Sequence, residues 1–233
     1  MTMNFATKLL FSASLAFASL SASAALSPTY DSFGTLAGAT FGGTGIPNNA
    51  VAIDTFTGKN LFGQNTGTIT LGLTVTPRYG NPAVTNNGQG VFNATAGVDR
   101  TSAGSILDQL AMWNIGYYIS GATSSNFYTY KLLLDVDPSS NENFKTLYLS
   151  ANTQDSINIG SFVNELLGGY TFDPTRTGQY SLILEAVQFG TNNIVGMASV
   201  LVNVNAVPEP GSLALAGLAL AGLATVGRRR RKA

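Results

Sequence analysis

Between Thr29 and Asn205 the chain alternates apolar and polar residues with a period of two. In MWNIGYYIS, Trp113, Ile115, Tyr117 and Ile119 fall on one side, and Asn114, Gly116, Tyr118 and Ser120 on the other. Successive side chains of a strand point to opposite faces, so this pattern predicts a strand with one buried face. FYTYKLLLDVD places Tyr128, Tyr130, Leu132, Leu134 and Val136 together, and TITLGLTVT, TLYLS, YSLILEAVQF and IVGMASVLVNV continue the series. Strands of this kind between Gly-, Asn- and Pro-rich turns predict a mainly β protein, an antiparallel β-sandwich rather than βαβ units. GTNN, Gly190 to Asn193, predicts the hairpin connection between the last two strands. Short helices are expected only at GSILDQLAM (Gly104 to Met112) and SFVNELLGG (Ser161 to Gly169), the second stopped by a glycine pair.

The period breaks at both ends. Lys8 precedes the apolar run Leu9 to Leu20, followed by Ala22-Ser23-Ala24. A short charged region, an apolar stretch and an A-x-A site predict a secretory signal helix over residues 1–24, cleaved after Ala24, with Ala25 the competing position. Its partners are the Sec translocon and signal peptidase. At the other end, VPEPGSLALAGLALAGLATVGRRRRKA joins three parts: Pro208-Glu209-Pro210, seventeen uncharged residues from Gly211 to Gly227, and five consecutive basic residues, Arg228 to Lys232. As a helix the uncharged run would be roughly 25 Å long, at the short limit for a bilayer core of about 30 Å. The basic tail would stay on the cytoplasmic side. Each proline pushes the residue before it towards an extended conformation, so an accessible, non-helical segment is expected just outside the membrane. The organisation expected is thus 1–24 signal peptide, 25–206 exported β-sandwich and 207–233 C-terminal signal with a transmembrane helix.

This three-part ending, Val207 to Ala233, resembles the PEP-CTERM sorting signal of Gram-negative bacteria. The resemblance implies a membrane-embedded exosortase as processing partner, with Pro208, Glu209 and Pro210 at the motif positions. It also implies transient anchoring in the inner membrane, then the outer surface or an extracellular polysaccharide matrix. The body, with FGGTGIPNNAVAI, TLGLTVTPRYGNPAVTNNGQGVFNATAG and the MWNIGYYI strand, is similar to that of other exported PEP-CTERM proteins, and that likeness brings no catalytic residue.

Charge changes the picture little. The formal net charge of zero hides a basic tail and an acidic centre, since six basic and eleven acidic residues lie between Ala25 and Asn205. Without a basic patch, nucleic acid is not an expected partner. The chain has no His and no Cys, which excludes Ser-His-Asp and Cys-His nucleophiles and the usual zinc and haem ligation. No enzyme activity and no cofactor are expected. FDPTRTGQYSLILEA sets Asp173, Gly178 and Tyr180 at the entrance of a long strand, an arrangement similar to the tyrosine corner, which makes the C-terminal strands immunoglobulin-like. Asp135 and Asp137 in DVDPSSNENF are the one candidate edge of a Ca²⁺ site; as an EF-hand loop the segment fails, with Ser140 at the glycine position and Thr146 at the bidentate acid. The competing reading is a solvated turn. Tyr79, Tyr117, Tyr118, Tyr128 and Tyr130 are candidates for a sugar-stacking platform or, alternatively, for core and cross-strand pairs. The function expected is a non-enzymatic exported surface or matrix protein. A carbohydrate- or calcium-binding module is the alternative, and a two-carboxylate glycoside hydrolase comes third.

Overall fold

The computed structural model describes residues 26–100, 110–139, 141–160 and 172–206, which form eleven strands numbered here in chain order. One sheet consists of β1 (Ser32–Gly34), β2 (Val51–Lys59), β3 (Asn65–Pro77), β6 (Trp113–Ser120) and β9 (Gln154–Ile157), side by side in that order and antiparallel throughout. The second takes β4 (Thr85–Asn86), β5 (Val91–Thr95), β7 (Tyr128–Asp135), β8 (Phe144–Leu149), β10 (Gly178–Gln188) and β11 (Ile194–Asn205), in the order β4-β5-β11-β10-β7-β8.

The period-two faces are the inner faces of these sheets. Trp113, Ile115, Tyr117 and Ile119 of β6 are buried, as are Tyr130, Leu132 and Leu134 of β7. They join Tyr180, Leu182 and Leu184 of β10 and Ala198, Val200 and Val202 of β11 in one core. Each fully buried side chain of the Leu, Ile or Val class contributes about 1.5–3 kcal/mol relative to exposure. Across the core, the Trp113 and Tyr180 rings lie 6.0 Å apart and Phe172 lies 5.8 Å from Tyr180. Every buried apolar residue falls between Ala39 and Val204. Among the described residues the core thus runs from near the start of the first sheet to the end of β11.

The expectation of a purely antiparallel arrangement is corrected at one place. β5 runs parallel to β11, pairing Leu201 with Val91 through to Asn205 with Thr95. A parallel neighbour needs a crossover, and here the chain goes on from β5 to the other sheet before returning, two strands later, as β7. β11 thus becomes an interior strand, flanked by β5 and by its hairpin partner β10. Where β5 stops short, other groups cover β11: the Ser199 N–H donates to the Thr29 carbonyl (2.7 Å) and the Met197 N–H to the Asp54 carboxylate (3.0 Å).

The hairpin at Gly190–Asn193 forms as expected, with the Gln188 N–H donating to the Asn193 carbonyl at 2.9 Å and Gly190 at φ +74°. The expected helix at Gly104–Met112 is corrected in its described part: Ala111 is bridged to Val98, and the Met112 carbonyl accepts the Arg78 N–H at 2.9 Å, so this chain is extended. Backbone pairing across the sheet end overrides the weak helical period there. The signal helix over 1–24, the helix at Ser161–Gly169 and the apolar helix of 207–233 lie outside the described residues. Among the described residues no helix is long and apolar enough to cross a membrane.

Candidate functional site

The antiparallel registers sort the loops to two ends of the molecule. One is the exit end, where β11 finishes at Asn205 beside Gly178 of β10 and near the end of β7 at Asp135. The other is the far end, where β11 starts at Ile194 and β7 at Tyr128. β11 has 12 residues, so at about 3.3 Å per residue the two ends are roughly 35 Å apart.

Asp135 and Asp137, the candidate edge of a Ca²⁺ site, lie at the exit end. Asp135 is buried, and its Oδ1 accepts the N–H of Asp137 (3.1 Å) and of Asn143 (2.9 Å), which shapes the β7–β8 turn. Burial raises its pKa, and these two N–H groups offset that only in part, so it stays above the ordinary value. Asp137 is outside the strand and accepts the Ser139 N–H at 2.9 Å; hydrogen bonds from Ser139 hold its pKa below the ordinary value. The two carboxylates are thus each turned onto their own backbone. Among the described residues no group of three or more acids, His or Cys comes together that could hold a metal ion.

Asp173, Gly178 and Tyr180 also lie at this end. Asp173 Oδ1 accepts the backbone N–H (2.9 Å) and hydroxyl (2.6 Å) of Thr175, forming the turn that leads into β10, and these bonds lower its pKa. Gly178 has φ +150°, and a Cβ there would run into the Pro138 carbonyl oxygen, so only glycine fits. Tyr180, fully buried, sets its ring between Trp113 and Phe172. These residues fix the entry of β10. Tyr79 is exposed, with φ +45°, and its ring lies under the Arg78 guanidinium at 4.9 Å, whose Nε is in turn paired with Asp99 at 2.7 Å.

The far end is different in kind. Here the β2–β3 turn, the segment before β7 and the β10–β11 turn surround a cleft of about 450 Å³. Its floor is Phe56 against Tyr128, edge to face with ring centroids 5.5 Å apart. The Tyr128 hydroxyl accepts the Lys59 N–H at 2.7 Å, which fixes the ring. Phe127 and Phe189 form one wall, joined by the Phe189 N–H donating to the Phe127 carbonyl at 2.9 Å. Leu61 belongs to the opposite wall, with Phe62 beside it at the turn, 87% exposed. Five of the seven exposed large apolar side chains among the described residues gather at this end: Leu61, Phe62, Phe127, Phe189 and Ile194. Among them run amides, Asn60, Gln188 and Asn193, and one cation, Lys59; the lining contains no carboxylate.

Of the tyrosines named from sequence, only Tyr128 lines this cleft. Tyr117 and Tyr130 are core residues, Tyr118 is half-buried, and Tyr79 belongs to the other end. The exposed apolar residues of the cleft, Leu61, Phe127 and Phe189, were missed because they sit outside the strands, where no period exists. Their signal was apolar residues among turn formers, in KNLFGQN, SNFY and QFGTNN.

Residues 206–231 match the family model of the PEP-CTERM protein-sorting motif. The chain carries a PEP-CTERM sorting signal. The PEP-CTERM match starts one residue after β11 ends, so the signal is joined directly to an interior strand of the sheet. The PEP-CTERM motif indicates a protein sorted by an exosortase to the cell surface, with export and a membrane-anchored C-terminal signal on the way. Pro208, Glu209 and Pro210, and Ala22 and Ala24 of the signal-peptide site, lie outside the described residues. Searches of curated proteins and of solved structures each return no match.

Proposed function

We propose that this chain is a non-enzymatic surface or matrix protein of a Gram-negative bacterium. In this reading residues 1–24 direct secretion and are removed after Ala24, and 25–206 form the displayed domain, immunoglobulin-like in its C-terminal strands. Residues 207–233 then hold it in the inner membrane through an apolar helix until exosortase cuts near Pro208–Pro210. The observation that carries the reading is the PEP-CTERM match at 206–231, set directly after the last strand. The non-catalytic part is supported by the lack of any His or Cys and by the use made of the buried acids. Asp99 pairs with Arg78, Glu185 with Lys131 at 3.3 Å, and Asp135 with its turn N–H groups. Of the two binding alternatives, the far-end cleft favours carbohydrate over calcium, since its rings and amides suit a sugar and Asp135 already accepts two backbone N–H groups.

Mass spectrometry of the C-terminus, in cells with and without exosortase, tests the sorting step. Loss of the arginine tail only when exosortase is present is the expected result. An intact Arg228–Lys232 in both strains would overturn it.

A further inference from the structure

We propose that the far-end cleft binds a neutral polysaccharide chain, whose sugar rings lie against Phe127 and Phe189 while Asn60, Gln188 and Asn193 meet the hydroxyls.

The lining selects this ligand by what each of its parts leaves to be satisfied. Two wall rings and the Phe56–Tyr128 floor offer fixed apolar faces at low entropic cost, because an aromatic side chain has only two rotatable angles. The C–H faces of a pyranose ring match such faces. An all-apolar occupant, a lipid chain or an apolar protein knob, would strip water from the amides of Asn60, Gln188 and Asn193 and from the Lys59 ammonium without replacing their hydrogen bonds, a cost that sugar hydroxyls avoid. These amides hold their turns with only part of their capacity. Asn60 Oδ1 accepts the N–H of Phe62 (2.9 Å) and Gln64 (3.0 Å), and Asn193 Nδ2 reaches Gln188 Oε1 at 3.4 Å. The second donor of each amide group, and the Asn193 oxygen, have capacity left for hydroxyls. Charge points the same way. The absence of any carboxylate from the lining disfavours a basic peptide or a bound metal bridging to sugar, and a single Lys59 is too little for a strongly anionic polymer.

Size and position agree with the chemistry. A volume of about 450 Å³ lies in the range of about 300–1,000 Å³ usual for ligand clefts. It also sits at the end opposite Ala206, where the C-terminal signal begins, and so faces away from the anchoring point. The proposal deepens the surface-protein reading, because such a polymer is met outside the cell, yet the binding itself does not depend on the sorting step.

The protein as it is exported is run through native gels cast with hydroxyethylcellulose, xyloglucan, galactomannan or dextran, and with alginate as the anionic contrast. Retardation by at least one neutral polymer is expected, with a weaker effect of alginate. Phe127→Ala and Phe189→Ala should each weaken it about tenfold, the loss of one stacked ring in a desolvated site. Tyr148→Ala, which removes an exposed ring from β8, should leave it unchanged. Both phenylalanines are exposed, Phe189 by 68%, so the variants keep the fold, and unchanged thermal midpoints would verify this. No retardation by any neutral polymer overturns the proposal. So does retardation that survives both substitutions, or self-association abolished by Phe62→Ala and Phe189→Ala in the absence of sugar, which would make the end a protein interface. An intact C-terminal tail in the mass-spectrometry experiment would leave this binding result untouched, so the two failures are distinguishable.

Discussion

At the exit end most polar groups have partners, the buried Ser156 hydroxyl being an exception among the described residues, while at the far end apolar rings stand in water. Asp99 accepts the Arg78 guanidinium at 2.7 Å and the Asn81 amide at 2.8 Å. Buried Asn158 takes the Ala111 N–H (2.9 Å), the Ala111 carbonyl (2.8 Å) and the Trp113 carbonyl (3.0 Å). Towards the other end, Phe62 and Phe189 are exposed, the Tyr130 hydroxyl is buried with no partner among the described residues, and Asp54 sits half-buried close to Asp31. One end is built to hold the strand that carries the sorting signal. The other gives up stability in the way binding surfaces do. Substitutions should therefore cost much at the first end and little, or less than nothing, at the second.

The largest difference is expected between two glycines. Gly178→Ala brings a Cβ against the Pro138 carbonyl at φ +150°, and should destabilise by about 3–5 kcal/mol through backbone displacement and strain. Gly190 in the far-end hairpin also has positive φ, +74°, but a Cβ there meets nothing within 4 Å. Gly190→Ala should cost only about 1–2 kcal/mol, the left-handed penalty alone. Urea unfolding of both variants measures the difference. Equal losses would mean that the two ends are held alike.

Much of this contrast was legible in the sequence, and the remainder was hidden for physical reasons. β6 and β7 alternate buried and less buried positions. In β10 and β11 the apolar side chains still keep that spacing although Ser181, Glu185 and Ser199 between them are buried too, so Trp113, Leu132, Leu182 and Val200 announce their sides. β2 was silent because only Val51, Ala52 and Gly58 of it are buried, with the polar Asp54, Thr55 and Thr57 in the stretch between. β5 has only five residues, too few for its alternation of buried Phe92 and Ala94 to stand out, and its parallel pairing is set by the crossover rather than by its side chains. Asp173 and Gly178 could be read as a strand entrance because turn chemistry is local. The cleft could not, since Phe127 and Phe189 are brought together only by the pairing of β7 with β10. The sorting signal was legible in full as sequence because its three parts are consecutive.

A smaller effect of opposite sign is expected at Tyr130. Its hydroxyl is buried near that of Tyr128, and burial, then Tyr128, pushes its pKa up to about 12. The neighbouring Tyr128 hydroxyl accepts the Lys59 N–H, whereas Tyr130 has no such partner. Tyr130→Phe removes an unpaired buried polar atom and keeps the ring in the core, so the protein should become more stable by about 1 kcal/mol. A loss of similar size in thermal or urea unfolding would show that this hydroxyl is satisfied and that the far end is less strained than the exit end suggests.

The smallest expected effect is a pH dependence at Asp54, on the half of β11 nearer the cleft. Burial first, and then the charge of Asp31, raises the Asp54 pKa above 3.8, while the Met197 N–H acts in the opposite sense. The folded state therefore binds this proton more tightly than the unfolded chain does. Its contribution is favourable below the ordinary value and is lost as pH rises from about 3.8 through the folded pKa, so ionised Asp54 weighs against folding at neutral pH. Asp135 titrates in the same direction, so the pH profile of the parent alone does not separate the two. Asp54→Asn does. An amide oxygen still accepts the Met197 N–H, at 3.0 Å in the parent, but carries no charge against Asp31. The variant should gain on the parent as pH rises through the carboxylate range, measured as the difference in urea midpoints below 3.8 and at neutral pH. A difference that does not change with pH would mean that the Met197 bond outweighs burial and repulsion. Asp54 would then be a well-satisfied cap on β11, and the far half of that strand would be held as firmly as the half that leads to the sorting signal.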